Sequence, residues 1–296
     1  MLRMIVNIGR LEIRMETIYK IIETLLPFAW VEYDFMKNAL LAVLMITPLF
    51  GILGTLIVNN RMAFFSDALG HSALTGVAIG TLFGIVNTNM SMIIFAIIFA
   101  LFLNKIKRKK TVSTDTVISV FASLSMAIGL VILSRGGKFA RYSALLVGDI
   151  LSITINEIGL LFIILIITLL FWFLCFNKLH AISVSEALSK SKKINLNLME
   201  DLFSVIIAII VMSSVKWVGT LIINALLILP AAASRNIATN VREYHLFSIL
   251  ISIYSGITGL LISYFIGTAT GPTIVIISSI IFFVTFLLSQ LGKKKI

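Results

Sequence analysis

The chain has 296 residues, of which 59% are hydrophobic and only 12% charged, with a mean hydropathy of +1.09 and a net charge of +11. A soluble domain is roughly 45–50% apolar and about 25% charged, so this chain cannot cover a water-facing surface of ordinary polarity, and a soluble enzyme, a secreted disulfide scaffold and a disordered chain are excluded in favour of a polytopic membrane protein. Half of the 24 Lys and Arg fall in three clusters that each follow an apolar run (105–110, 178–193 and 293–295), which is the positive-inside pattern and excludes a nucleic-acid-binding face.

Residues 1–37 are mixed in charge. Leu11, Met15, Ile18, Ile22 and Leu25 recur at helical spacing, with Glu12, Glu16, Lys20 and Glu23 on the other side. The pattern predicts an amphipathic N-terminal helix lying in the membrane interface; a short soluble helix packed on the rest is the alternative. No cleavable signal peptide is evident, because the first apolar stretch is interrupted by charge and lacks a small-residue cleavage site.

Residues 38–296 read as a single transmembrane domain. A helix rises about 1.5 Å per residue and must cross about 30 Å of hydrocarbon, so each span needs about 20 residues. The predicted spans are 38–59, 62–86, 88–104, 114–134, 154–177, 201–216, 217–234, 244–266 and 270–291, the sixth and seventh separated only by Lys216 and Trp217. Segment 142–153 is apolar but too short to cross, and reads as a re-entrant half-helix or a bent extension. The fold class is therefore an all-α polytopic membrane protein with eight or nine transmembrane helices.

The basic clusters orient it, with 105–110, 178–200 and the tail in the cytoplasm. Arg61, Arg235 and Arg242 also fall inside; Arg135, Lys138 and Arg141 fall outside, against the rule. With nine spans the N-terminus is outside. Pro48 and Pro230 lie inside apolar runs, where neighbouring helices compensate for the missing donor. Gly76, Gly80 and Gly84 recur at four-residue spacing, which favours close helix packing. Cys175 is the only cysteine, so there is no internal disulfide and no thiolate metal cluster; it reads as a small buried apolar residue.

Most of the acids lie in loops or at span ends. Asp67, in Phe64-Phe65-Ser66-Asp67-Ala68-Leu69-Gly70-His71, is the one placed within a span, and an ionisable group there needs partners or water. His71 lies four residues on, hence on the same helix face. A carboxylate and an imidazole on one face make half a site for a divalent first-row metal; oxygen suits manganese and imidazole suits zinc, so the pair does not choose. A hydrogen-bonded pair that fixes helix packing is the competing reading. Asp149, in Leu146-Val147-Gly148-Asp149, either caps the helix that follows or lines a pathway. Asn224 either bonds across helices or lines a pathway. Glu157 is expected to be solvated at an interface, and His180 and His245 to be interfacial rather than ligands. No phosphate-binding glycine loop, zinc-protease motif or serine nucleophile motif occurs, so any ATP use falls to another chain.

Three blocks of sequence resemble the permease subunits of ABC-type importers for zinc, manganese or iron. The first runs from Phe35 to Gly76 and holds the Asp67–His71 pair. The second is Leu146-Val147-Gly148-Asp149-Ile150-Leu151. The third is Val218-Gly219-Thr220 through Pro230-Ala231-Ala232-Ala233, with Gly271-Pro272-Thr273-Ile274-Val275 near the end. The resemblance implies a helical permease paired with a second permease copy, two cytoplasmic ATP-binding subunits and an external metal-binding protein. It also implies a prokaryotic cytoplasmic (inner) membrane, no covalently bound cofactor, and a divalent metal ion as substrate. Asp67 and His71 are then the metal contacts. The ATPase-coupling helix falls in Ser183–Lys193 and starts at Ser185, Glu186, Ala187 and Leu188. Relatives tend to end this helix on glycine, where this chain has Lys190-Ser191-Lys192-Lys193. The alternatives are a proton-coupled secondary metal transporter with Asp67 and His71 as its relay, and an ABC importer of a metal chelate. A membrane-embedded hydrolase is a more distant third, since no nucleophile or metal motif accompanies the pair.

Overall fold

Each of the nine predicted spans is a helix among the residues that the computed structural model describes, which are 16–293 apart from 86, 110–112, 136, 138 and 221. The expectations for 1–15, Lys110, Lys138 and the last three residues lie outside them. In chain order the elements are α1 (16–25), a 3-10 turn Ala29–Glu32, α2 (Asp34–Asn59), α3 (Ala63–Leu82), α4 (Thr88–Lys107) and α5 (Thr114–Ser134). Two four-residue helices follow, α6 (Phe139–Tyr142) and α7 (Ala144–Val147), then a 3-10 turn Ile150–Ser152. The rest are α8 (Ile155–Val184), α9 (Glu186–Ser191), α10 (Leu196–Val218), α11 (Ile223–Ile237), α12 (Val241–Ile266) and α13 (Thr270–Lys293).

Among the described residues seven helices (α2, α4, α5, α8, α10, α12 and α13) are long and apolar enough to cross a membrane. α3 has the length, but Ser66, Asp67, His71, Ser72 and Thr75 dilute its hydropathy, and it is screened by α4, α5 and α10. α11 has 15 residues, about 22 Å, too short to cross alone.

Helix starts follow from local chemistry. Asn87, Ser113, Asn195 and Asn240 each accept a hydrogen bond from the backbone N–H three residues on, satisfying a donor that the helix cannot. α2 and α10 form the centre; Met36, Phe50, Leu53 and Leu56 of the first and Ile207, Val211, Val215 and Trp217 of the second are buried. α8 and α13 leave long apolar faces exposed, as a lipid-facing helix does. α12 is fastened to α2 by Ser248 Oγ donating to Gly51 O at 2.8 Å and Ser252 Oγ donating to Thr47 O at 2.7 Å.

The small-residue run divides in two. Gly76 and Gly80 lie against α4, where an added Cβ would stand 2.8 Å from Met92 Cα and 2.4 Å from Ser91 Oγ; Gly84 lies beyond α3 in open space. α1 packs through Ile22 and Tyr19, and leaves Ile18, Ile21 and Leu25 exposed. It is tied to α2 by the buried Lys37, whose Nζ is 2.5 Å from Glu23 and 3.0 Å from Asp34 and lies over the Tyr19 ring.

Both ends of α10 are fixed. At its start Glu200 pairs with Lys107, and Asp201 Oδ1 accepts from Arg108 Nη2 at 2.6 Å and from Asn104 Nδ2 at 3.0 Å, joining α10 to the end of α4. At its far end Lys216 Nζ lies 2.5 Å from Glu157 on α8. The break that follows falls at Gly219, not at Lys216–Trp217, which remain helical. Gly219 has φ +92° and Gly148 φ +73°. The two backbones cross there: a Cβ on Gly148 would stand 2.3 Å from Gly219 N, and one on Gly219 2.3 Å from Val147 C. Asp149 N–H donates to Lys216 O at 3.2 Å and Thr220 N–H to Leu145 O at 2.9 Å. Segment 142–153 is thus several short turns pinned against the α10–α11 break, where non-helical backbone finds partners inside protein.

Candidate functional site

α3 presents Asp67 on its second turn rather than at mid-helix, with His71 one turn further. Asp67 Oδ2 and His71 Nε2 are 3.5 Å apart, and the side chains are 42% and 28% exposed. The pair therefore lies on a partly exposed edge of the bundle. Successive residues on a helix are rotated by about 100°, so Ser66 and Gly70 form the adjoining edge, and that edge is packed. Ser66 Oγ lies 2.5 Å from Asn224 Oδ1, on the first turn of α11. Gly70 lets Thr220 O approach to where a Cβ would meet it at 3.1 Å.

The sequence-predicted residues separate here. Asn224 is brought to the residue beside Asp67. Asp149 is a cap: its Oδ1 accepts from Leu151 N–H at 3.0 Å, on the 3-10 turn Ile150–Ser152. Among the described residues no group of three or more His, Cys, Asp or Glu could hold a metal ion; the pair offers two donor groups, where a tetrahedral ion needs four and an octahedral ion six.

Two expectations are corrected. Glu157 is not solvated at an interface: it accepts from both Thr154 N–H and Thr154 Oγ1 at 2.9 Å and pairs with Lys216. His245 is not interfacial either, with 6% exposure. Its Nδ1 lies 2.6 Å from Thr55 Oγ1, which is also 2.7 Å from Ile52 O. Its ring meets Phe176 edge-on at 5.1 Å, and His180 stacks on the same Phe176 at 5.8 Å. The signal that finds this cluster in the sequence is the four-residue spacing of Trp172, Phe176 and His180, which puts them on one face of α8.

On the side of the basic clusters, α9 starts at Glu186, inside the segment Ser183–Lys193. Ser185 Oγ accepts from Ala187 N–H at 3.2 Å. The helix runs only from Glu186 to Ser191. Its exit turns through Lys193, with φ +54°, and closes with Ile194 N–H donating to Ser189 O at 3.0 Å, the wrapping bond of a helix end that usually uses glycine. Beside it opens a cavity of about 730 Å³, lined among others by Arg61, Lys107, Arg108, Ser185 and Glu200.

A bundle of apolar helices, interrupted where two backbones cross, with an ionisable pair on an open edge and a short capped helix on the basic side, is the architecture of a transport permease. The chain belongs to the ABC 3 transport family, whose model matches residues 32–289. It is 32% identical over 255 residues to the high-affinity zinc uptake system membrane protein ZnuB of Haemophilus influenzae, covering 84% of this chain and 96% of that one. It is 26% identical over 263 residues to the manganese import system permease protein ScaB of Streptococcus parasanguinis, covering 89% and 94%. Its fold matches PsaBC from Streptococcus pneumoniae, solved in complex with Fab, with a TM-score of 0.77 and 25% identity, over 86% of this chain and 91% of that one. The chain is accordingly a multi-pass membrane protein and the permease of an ABC importer, and ATP is hydrolysed on a separate subunit. The stand-alone proton-coupled reading falls with that membership.

Proposed function

We propose that this permease imports a bare divalent transition-metal ion, zinc or manganese, across the cytoplasmic membrane of a prokaryote. The observation that carries the reading is the Asp67–His71 pair on the open edge of α3. A carboxylate beside an imidazole offers one hard oxygen and one borderline nitrogen, a donor set for a naked cation rather than for a chelate whose ligands are already filled. The relatives named for zinc and for manganese support the same class of cargo. A second permease copy supplies the missing half of the sphere: two pairs facing each other give two carboxylates and two imidazoles.

The ion arrives from an external binding protein. Two cytoplasmic ATP-binding subunits seat on the segment starting at Ser185, Glu186, Ala187 and Leu188, beside the charged cavity. Asp149 caps its turn, Asn224 supports α3, and α1 lies in the membrane interface through Ile18, Ile21 and Leu25. Asp67→Ala and His71→Ala each lower metal uptake at least about tenfold, with normal membrane insertion, when the assembled transporter is measured in liposomes with zinc and with manganese. Wild-type uptake by both variants would falsify the site.

A further inference from the structure

The two edges of α3 have different neighbours. The open edge carries Asp67 and His71. The packed edge carries Ser66 and Gly70, and both rest on the same feature, the break between α10 and α11. Ser66 Oγ meets Asn224 Oδ1 at 2.5 Å, and Gly70 lies under Thr220 O with Ile223 Cγ2 beside it. Ser66 and Ile223 are fully buried, and Thr220 nearly so, so nothing soft separates the break from α3.

The break is itself the end of a rod. α10 has 23 residues, about 35 Å. Its cytoplasmic end begins just after α9 and is tied to α4 through Glu200 and Asp201. Its outer end is held by Lys216 to Glu157 and by the crossing at Gly148 and Gly219. A helix held at both ends transmits displacement along its length, because cores and packed interfaces shift as units rather than deform. Displacement of the break then turns α3, since two contacts on one edge of a helix act as a lever about its axis.

The lever arm is adequate. A ligand atom about 5 Å from the helix axis moves about 1 Å when the helix turns by about 10°, and metal–ligand distances tolerate only about 0.2 Å. A small rotation is enough to break a coordination sphere shared with another surface.

We propose that Ser66, Gly70, Thr220 and Asn224 are positioning residues for the Asp67–His71 pair, and that α10 with the break after it carries the motion of the ATPase-facing segment to that pair. The proposal rests on the reading of Asp67 and His71 as cargo contacts.

The test uses the full transporter, with its ATPase and binding protein, in liposomes. Uptake is measured over a range of zinc and of manganese for the wild type and for Gly70→Ala, Asn224→Ala and Ser66→Ala. Ser66→Ala removes one oxygen and keeps the packing, so it reports even where the Gly70 variant fails to assemble. Misaligned ligands raise the half-saturating metal concentration about tenfold or more in each variant and leave the maximal rate within about twofold, a split that general loss of folded protein does not produce. Half-saturation equal to the wild type in Ser66→Ala and Asn224→Ala, or a loss confined to the maximal rate, overturns the proposal. Asp67→Asn in parallel separates the two claims. If it transports like the wild type, the reading of the pair has failed; if it is inactive while the three variants keep wild-type half-saturation, only the positioning role has.

Discussion

Lys193 holds a backbone conformation, φ +54°, that a side chain disfavours by about 1–2 kcal/mol. It is retained where α9 must stop abruptly and the chain must turn into α10. Lys193→Gly relieves that conformation, so the purified permease in detergent should melt at a higher temperature, with a gain of about 1 kcal/mol; an unchanged or lower melting temperature contradicts the account. Gly148 and Gly219 behave oppositely. Each combines positive φ with a neighbour's backbone at 2.3 Å from any added Cβ. Gly148→Ala and Gly219→Ala should each destabilise by more than about 3 kcal/mol, read as loss of monodisperse protein on solubilisation.

Legibility at this scale depended on sequence distance. Asp67 and His71 are four residues apart, and helical spacing alone put them together. Glu157 and Lys216 belong to different helices, and neither carries a local mark of the other, so Glu157 read as a solvated acid. Lys193 stood out only as part of Lys190-Ser191-Lys192-Lys193, where the resemblance leads one to expect a glycine at the helix end. Arg242 and Glu243 mark His245 as interfacial in the sequence, yet one helical turn carries it inside.

Among the elements, α10 depends most on charge. Lys107, Arg108, Glu200 and Asp201 have side chains 20–29% exposed, between the surface regime worth about 0–1 kcal/mol and the buried one where losing a partner costs about 3–5 kcal/mol. Glu200→Lys, which places like charge beside Lys107 and Arg108, should lower stability by about 2 kcal/mol. Adding Lys107→Glu should recover part of it, and a melting curve for the single and double variants checks this. No recovery would mean that the residues matter for packing rather than for their charge.

The helices of the nine predicted spans were readable as apolar runs because hydropathy needs no knowledge of partners. The break between the sixth and seventh was misplaced by a few residues. Lys216 and Trp217 look like a boundary, but a polar residue at a helix end is tolerated when paired, and the conformation that stops α10 belongs to Gly219. Segment 142–153 was recognised as too short to cross. Its division into separate turns was not readable, since that follows from contact with residues far along the chain.

For the whole molecule, the sequence carries no nucleotide-binding motif and ATP is hydrolysed on a separate subunit, so the permease cannot move cargo uphill alone. Reconstituted without its ATPase subunits, it should accumulate neither zinc nor manganese even with an imposed pH gradient; with them, uptake should need ATP. Accumulation driven by the gradient would contradict that.

The shortness of α11 has a consequence for how the protein is made. A segment of 15 residues containing Asn224, Pro230, Ser234, Arg235 and Asn236 is a poor substrate for insertion as it leaves the ribosome, because it neither spans the hydrocarbon nor hides its polar groups there. It has to wait at the membrane surface until α12 follows, and the two then enter as a hairpin against the helices already present. The latter part of the chain is therefore committed to the bilayer late and as a group, and a ribosome stalled between α11 and α12 would hold a permease whose support for α3 is still outside the membrane.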